Sequence, residues 1–175
     1  MWRTPAEVGV FLYPERMTVD PHFDFAWLGP LYLVAVAWPL TVIDIRERRL
    51  PNRLTLPVFP ITILGQLLAV LFGDDPGRLF TALVISVLAF AVALILNRFA
   101  GLGMGDVKLI AGITLALAWF NPFLPAVAIL VAFGSAGAAS LVLLALRKTR
   151  MGSSIALGPY LLFGFLVCFI AQGWS

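Results

Sequence analysis

Apolar residues fall in five long uncharged runs, at positions 25–43, 54–72, 79–97, 109–146 and 155–175, separated by short polar segments. A helix needs about 20 apolar residues to cross a hydrocarbon core of about 30 Å, so each run predicts at least one crossing. The fourth run is about twice that length. It contains NPFLP at 121–125, where two prolines and an asparagine predict a turn, and dividing it there gives six helices. The pattern predicts an all-α integral membrane protein. Its single domain, 25–175, is a bundle of six transmembrane helices with short loops, preceded by an extracytoplasmic tail at 1–24.

Composition agrees with that pattern: 61% of the 175 residues are hydrophobic and 12% are charged, too apolar for a soluble domain of this length. The charges then orient the bundle. With the N-terminus outside, the inner loops carry Arg46, Arg48, Arg49, Arg53, Arg98, Lys108, Arg147, Lys148 and Arg150, against only Arg3, Arg16 and Arg78 outside. That asymmetry is the one that fixes topology. Trp27, Trp119 and Trp174 then lie near the outer interface, as an aromatic belt would place them. The net charge of +3 therefore reads as inner-leaflet anchoring in a lipid bilayer, not as a nucleic-acid footprint. The tail has no apolar core of adequate length for a signal peptide. VGVFLY at 8–13 reads equally as an interfacial stretch and as a disordered tail. Cys168, the single cysteine, excludes an internal disulfide and a cysteine-based zinc site, and His22 has no partner in sequence. The sequence calls for neither metal nor cofactor.

Three acids fall on the inner side: Asp44, Glu47 and Asp106. Asp44 directly follows the first run and Asp106 directly precedes the fourth, so the two share one edge of the bundle. Carboxylates at membrane depth are costly unless paired or functional. From Asp106 to Phe120 a helix reaches only about 22 Å at 1.5 Å per residue. Either that helix continues past Pro122, or it begins below the surface, in a wet pocket where irregular backbone is tolerated. Gly101, Gly103 and Gly105, in GLGMGD, can take positive φ and admit close backbone approach. Asp106 is expected to cap the fourth helix, its charge favoured by the dipole. The plainer readings are a loop with an N-cap at Asp106 and an i,i+4 pair of Asp44 with Arg48. Glu47 reads as solvated, Pro51 and Asn52 as a chain break before the second span, and Lys108 as a snorkelling anchor or a contact for a substrate carboxylate.

Two carboxyl groups within hydrogen-bonding distance cannot both ionise cheaply and share one proton. The ionised member can take a proton from water while the protonated member donates to a carbonyl oxygen. That is general acid–base amide hydrolysis without a covalent intermediate or a metal. The helix N-terminus makes Asp106 the expected base.

DIRERRLPNRLT after the first span, GLGMGDVKLIAGI opening a later one and ALGPYLLFG in the last together resemble the type IV prepilin peptidase family, membrane aspartyl proteases of the GxGD class. The resemblance covers residues 25–172. It implies Asp44 and Asp106 as the catalytic pair, Pro51 and Asn52 as the Pro-Asn after the first aspartate, and Gly158 and Pro159 as the Gly-Pro near the end. It also implies a multi-pass enzyme of the bacterial inner membrane. Such an enzyme removes basic leader peptides from prepilins or pseudopilins at the cytoplasmic face. There are departures: Leu50 stands where the family has Ile, and Ala156-Leu157 where a Pro often precedes Gly-Pro. Larger members add a cytoplasmic domain with paired cysteines and an N-methyltransferase activity. One cysteine and short inner loops point instead to a peptidase alone, like the short enzymes of tight-adherence (Flp-type) pili.

Two rival readings remain at this stage. A transporter or proton carrier would also place acids at membrane depth, usually near the midplane between repeated halves. A non-catalytic pilus or secretion assembly protein would keep the fold without the chemistry.

Overall fold

The computed structural model describes residues 24–146 and 156–172. The expected tail at 1–24 lies outside them except for Asp24, as do His22, Trp174 and the basic cluster at 147–150. A short 3-10 turn, Phe25–Trp27, leads into α1 (Leu28–Glu47), then α2 (Asn52–Thr55), α3 (Val58–Leu71), α4 (Pro76–Ala100), α5 (Met104–Ala118), α6 (Leu124–Ala145) and α7 (Gly158–Gln172). Strands are absent among the described residues. The expected bundle of six long helices is present, with α2 as a one-turn lead-in to α3.

Local chemistry sets the ends. Asp75 caps α4, its Oδ1 accepting from Gly77 N–H at 2.8 Å, and Pro76 occupies the first turn, where no N–H is needed. Gly101 ends α4 in the left-handed region at φ 72°. The turn expected at 121–125 forms between α5 and α6, where Asn121 Oδ1 accepts from Phe123 N–H at 2.9 Å. Arg48, also left-handed at φ 50°, ends α1. The break expected at Pro51 and Asn52 thus comes earlier. These two residues begin α2 instead, Pro51 as its extended N-cap.

Four stretches are long and apolar enough to cross a membrane: Phe25–Glu47, Asn52–Leu71, Pro76–Ala100 and Leu124–Ala145. The other two helices, α5 and α7, have 15 residues each, about 22 Å of helix. This answers the question of the fourth helix, which stops at Ala118 and does not run past Pro122.

Helix α5 is the core. Every residue from Leu109 to Trp119 is buried, the signature of a helix surrounded by protein on all sides. Its neighbours hold it through polar side chains and small residues, the usual means where lipid supplies no hydrophobic drive between helices. Ser86 on α4 donates to the Ala111 carbonyl at 2.9 Å, and Gln66 on α3 donates to the Leu115 carbonyl at 2.8 Å. Gly112 admits Val58, which a Cβ there would meet at 2.8 Å. At the far end from the carboxylates, Trp27 packs on Phe120 and Phe169 with centroids 5.0 and 5.3 Å away. Trp119 departs from the expected aromatic belt: its ring is 2% exposed and closes the core, because the chain turns directly after it.

Candidate active site

Asp44 lies in the last turn of α1 and is 4% exposed. Its Oδ2 accepts a hydrogen bond from the backbone N–H of Gly158, at the start of α7, at 2.9 Å. The first N–H groups of a helix have no partner inside it. Here Tyr160 and Leu161 both donate to the Leu157 carbonyl, Pro159 has no N–H, and Gly158 gives its own to Asp44. A Cβ at position 158 would stand 2.6 Å from Asp44 Oδ2 and 3.2 Å from Leu50 Cδ2. Only glycine fits there.

Asp106 sits in the first turn of α5 but is not its cap. That place belongs to Gly103, with extended backbone at φ −63°, ψ 140°. The Asp106 carboxylate folds back over Gly103 at the start of the helix. A Cβ on Gly103 would stand 2.8 Å from Asp106 Oδ2, and one on Gly105 would stand 2.8 Å from Leu50 Cβ. The three glycines therefore serve three purposes. Gly101 alone takes positive φ, whereas Gly103 makes room for the carboxylate and Gly105 for Leu50.

Leu50 is the wedge of the site. It is buried, and it touches both Gly105 at the head of α5 and Gly158 at the head of α7. Asp44 stands beside it at Gly158, and Asp106 directly follows Gly105. Each carboxylate lies at a helix N-terminus: Asp44 accepts from the Gly158 N–H of α7, and Asp106 stands in the first turn of α5 against Gly103. A helix N-terminus thus faces Asp44 as well as Asp106.

The remaining expected residues surround this pair. Lys108 Nζ donates to Asn52 Oδ1 at 2.8 Å, tying α5 to α2. Glu47 pairs with Arg49 at 2.8 Å on the exposed rim, in keeping with its solvated reading. Two contacts had no sequence signal. Asn97 in the last turn of α4 donates its amide to the Leu102 carbonyl, pinning the glycine loop, and Tyr32 donates to the Leu54 carbonyl at 3.0 Å. Among the described residues no cluster of three metal-ligating side chains forms.

A model of the type IV leader peptidase family matches residues 31–144, which include both aspartates and the glycine loop. The chain belongs to that family. Prepilin leader peptidase/N-methyltransferases are its similar relatives. That of Aeromonas hydrophila is 34% identical over 148 residues, 83% of this chain and 49% of the relative. That of Aeromonas salmonicida strain A449 is 35% identical over 149 residues, with the same shares. The Pectobacterium carotovorum enzyme is 31% identical over 150 residues, 84% of this chain and 52% of its own. The chain thus spans about half the length of these relatives. No solved structure matches it.

Proposed function

We propose that this family member is an aspartic endopeptidase that cuts the basic leader from type IV prepilin-like precursors at the cytoplasmic face of the bacterial inner membrane. The observation that carries the reading is the gathering of Asp44 and Asp106 around Leu50, Asp44 hydrogen-bonded to the head of α7 and Asp106 in the first turn of buried α5. Helices α5 and α7 are shorter than the hydrocarbon core is thick, which leaves room for their N-termini to sit recessed from the inner surface. That recess would admit water and an extended peptide beside two carboxylates that share a proton. One aspartate takes a proton from the attacking water while the other gives its proton to the scissile carbonyl oxygen; on collapse of the gem-diol the first passes its proton to the leaving amine and the second recovers its own from the hydroxyl.

The basic residues at the inner edge support a cytoplasmic site through the positive-inside rule. The proposal covers peptide hydrolysis and not N-methyl transfer. The described connections at this edge, 48–51 and 101–103, are only a few residues long.

The test is cleavage of a prepilin in membranes by wild type, Asp44→Asn and Asp106→Asn, with the product's N-terminus sequenced. Removing a general acid or base is expected to lower the rate by about 10²–10⁴-fold while both variants insert normally. Wild-type rates in either variant would make that aspartate structural and return the field to the carrier or assembly-protein readings.

A further inference from the structure

Leu50 lies between two helix heads, and the chain on either side of it is held. Its Cβ comes to 2.8 Å of the place a Cβ on Gly105 would take, in the turn that carries Asp106. Its Cδ2 comes to 3.2 Å of the same place on Gly158, where Asp44 Oδ2 stands at 2.6 Å. One side chain thus fills the distance from the head of α5 to the glycine that holds Asp44. Before it, Arg48 ends α1 at φ 50°, and after it Pro51 follows at φ −70°. Asn52 Oδ1 then takes Lys108 Nζ at 2.8 Å, and the Leu54 carbonyl takes the Tyr32 hydroxyl at 3.0 Å. Within 48–53 Leu50 alone is buried.

We infer that Leu50 is a positioning residue, a spacer whose size sets how far the Asp44 carboxylate stands from the helix head that bears Asp106. The inference rests on the peptidase reading and adds what fixes the geometry of its two carboxylates. Both helix heads meet Leu50 with glycine, so no side chain of Gly105 or Gly158 takes up slack between backbone and spacer. A close-packed interior feels a change of even one methylene and transmits the strain. A shorter side chain at position 50 lets the heads draw together, and a longer one drives them apart. Either change moves a carboxylate relative to the other. The Lys108–Asn52 and Tyr32–Leu54 bonds serve the same end, since a spacer works only while its own backbone is held.

The test uses the full chain in phosphatidylethanolamine/phosphatidylglycerol vesicles and reads spacing and rate separately. For spacing, Asp44→Cys and Asp106→Cys are combined and bridged with bis-methanethiosulfonates of graded length. The pair is placed in wild-type, Leu50→Met, Leu50→Ala and Leu50→Phe backgrounds. The preferred linker is expected to be unchanged by Leu50→Met, shorter in Leu50→Ala and longer in Leu50→Phe. One preferred length throughout overturns the spacer. For rate, the same substitutions at Leu50 are made with both aspartates intact, and folding is followed by protection of the buried Cys168 thiol. A shift of about 1 Å in a catalytic group costs on the order of 100-fold in rate. Losses in kcat approaching that factor, at unchanged KM for a prepilin precursor, are expected for Leu50→Ala and Leu50→Phe. Leu50→Met, which keeps the volume, should retain kcat. A raised KM with kcat intact, or losses no larger than the unfolded fraction, overturn the positioning role. Where Leu50→Ala does not fold, Leu50→Val supplies the shorter side chain. If wild type cuts no precursor, the peptidase reading fails, and the linker lengths still score the spacer.

Discussion

The backbone N–H of Gly158 donates to the carboxylate of Asp44 at 2.9 Å, across 114 residues of sequence. This bond joins the end of the first helix to the start of the last, and it fixes Asp44 in a place that no residue near it in sequence could define. The absence of a Cβ is part of the bond. Gly158→Ala would set a methyl 2.6 Å from Oδ2, and Leu50 blocks the other side at 3.2 Å. The carboxylate must move, and a shift of about 1 Å in a catalytic group costs on the order of 100-fold in rate. Overpacking of this kind also costs about 1–3 kcal/mol of stability. Prepilin cleavage and thermal unfolding in detergent, measured together, should show a loss of activity far larger than the folded fraction explains.

Gly101 and Gly103 are expected to separate stability from activity. Gly101 has open space around it but φ of 72°, so Gly101→Ala strains the backbone by about 1–2 kcal/mol and leaves the carboxylates alone. Gly103 has ordinary backbone angles, but a Cβ there would press on Asp106 Oδ2 at 2.8 Å. Gly103→Ala should therefore fold nearly as well as wild type and cut poorly. Gly101→Ala should melt earlier and cut normally below its melting temperature. The reverse pattern would mean that the loop acts through its conformation and not through the space it leaves.

The helix count and the candidate site's place at one end of the bundle were legible because both follow from local patterns. Uncharged runs set the number of helices, NPFLP marked the turn, and two acids at one edge of an apolar chain marked the candidate site. What was not legible depends on distance in sequence. Nothing near Leu50 shows that it will separate two helix heads, and nothing near Asn97 shows that it will hold the Leu102 carbonyl. Trp119 matched the interfacial pattern yet is buried, since periodicity cannot tell a lipid-facing ring from one that closes the core. That Asp44 also meets a helix N-terminus was hidden for the same reason. The helix that serves Asp44 starts more than a hundred residues away.

The packing of α3 on α5 is open to a steric test. Gly112 receives Val58 Cγ1, which a Cβ at 112 would meet at 2.8 Å. Gly112→Ala is expected to cost about 1–3 kcal/mol by overpacking. Val58→Ala alone costs roughly 1–3 kcal/mol for the lost buried side chain. The double variant should be more stable than the sum of the two, because the new methyl fills part of the space that Val58 leaves. Additive losses would show that α3 and α5 do not meet at this point.

Lys108 and Asn52 are joined at 2.8 Å between α5 and α2, which links the segment after Leu50 to the helix that carries Asp106. A hydrogen bond to a charged group contributes about 1.5–3 kcal/mol when well formed, and less where water competes. Lys108→Met and Asn52→Ala should therefore each lower the melting temperature modestly. The double variant should be no worse than the more damaging single change, since both remove the same bond. Cleavage should persist in all three, with the rate falling together with the stability of the α2–α5 contact. The alternative reading makes Lys108 a direct contact for a substrate carboxylate. It predicts that Lys108→Met raises KM while Asn52→Ala leaves it unchanged. Steady-state kinetics on the pair, beside the unfolding data, decides between a brace and a substrate contact.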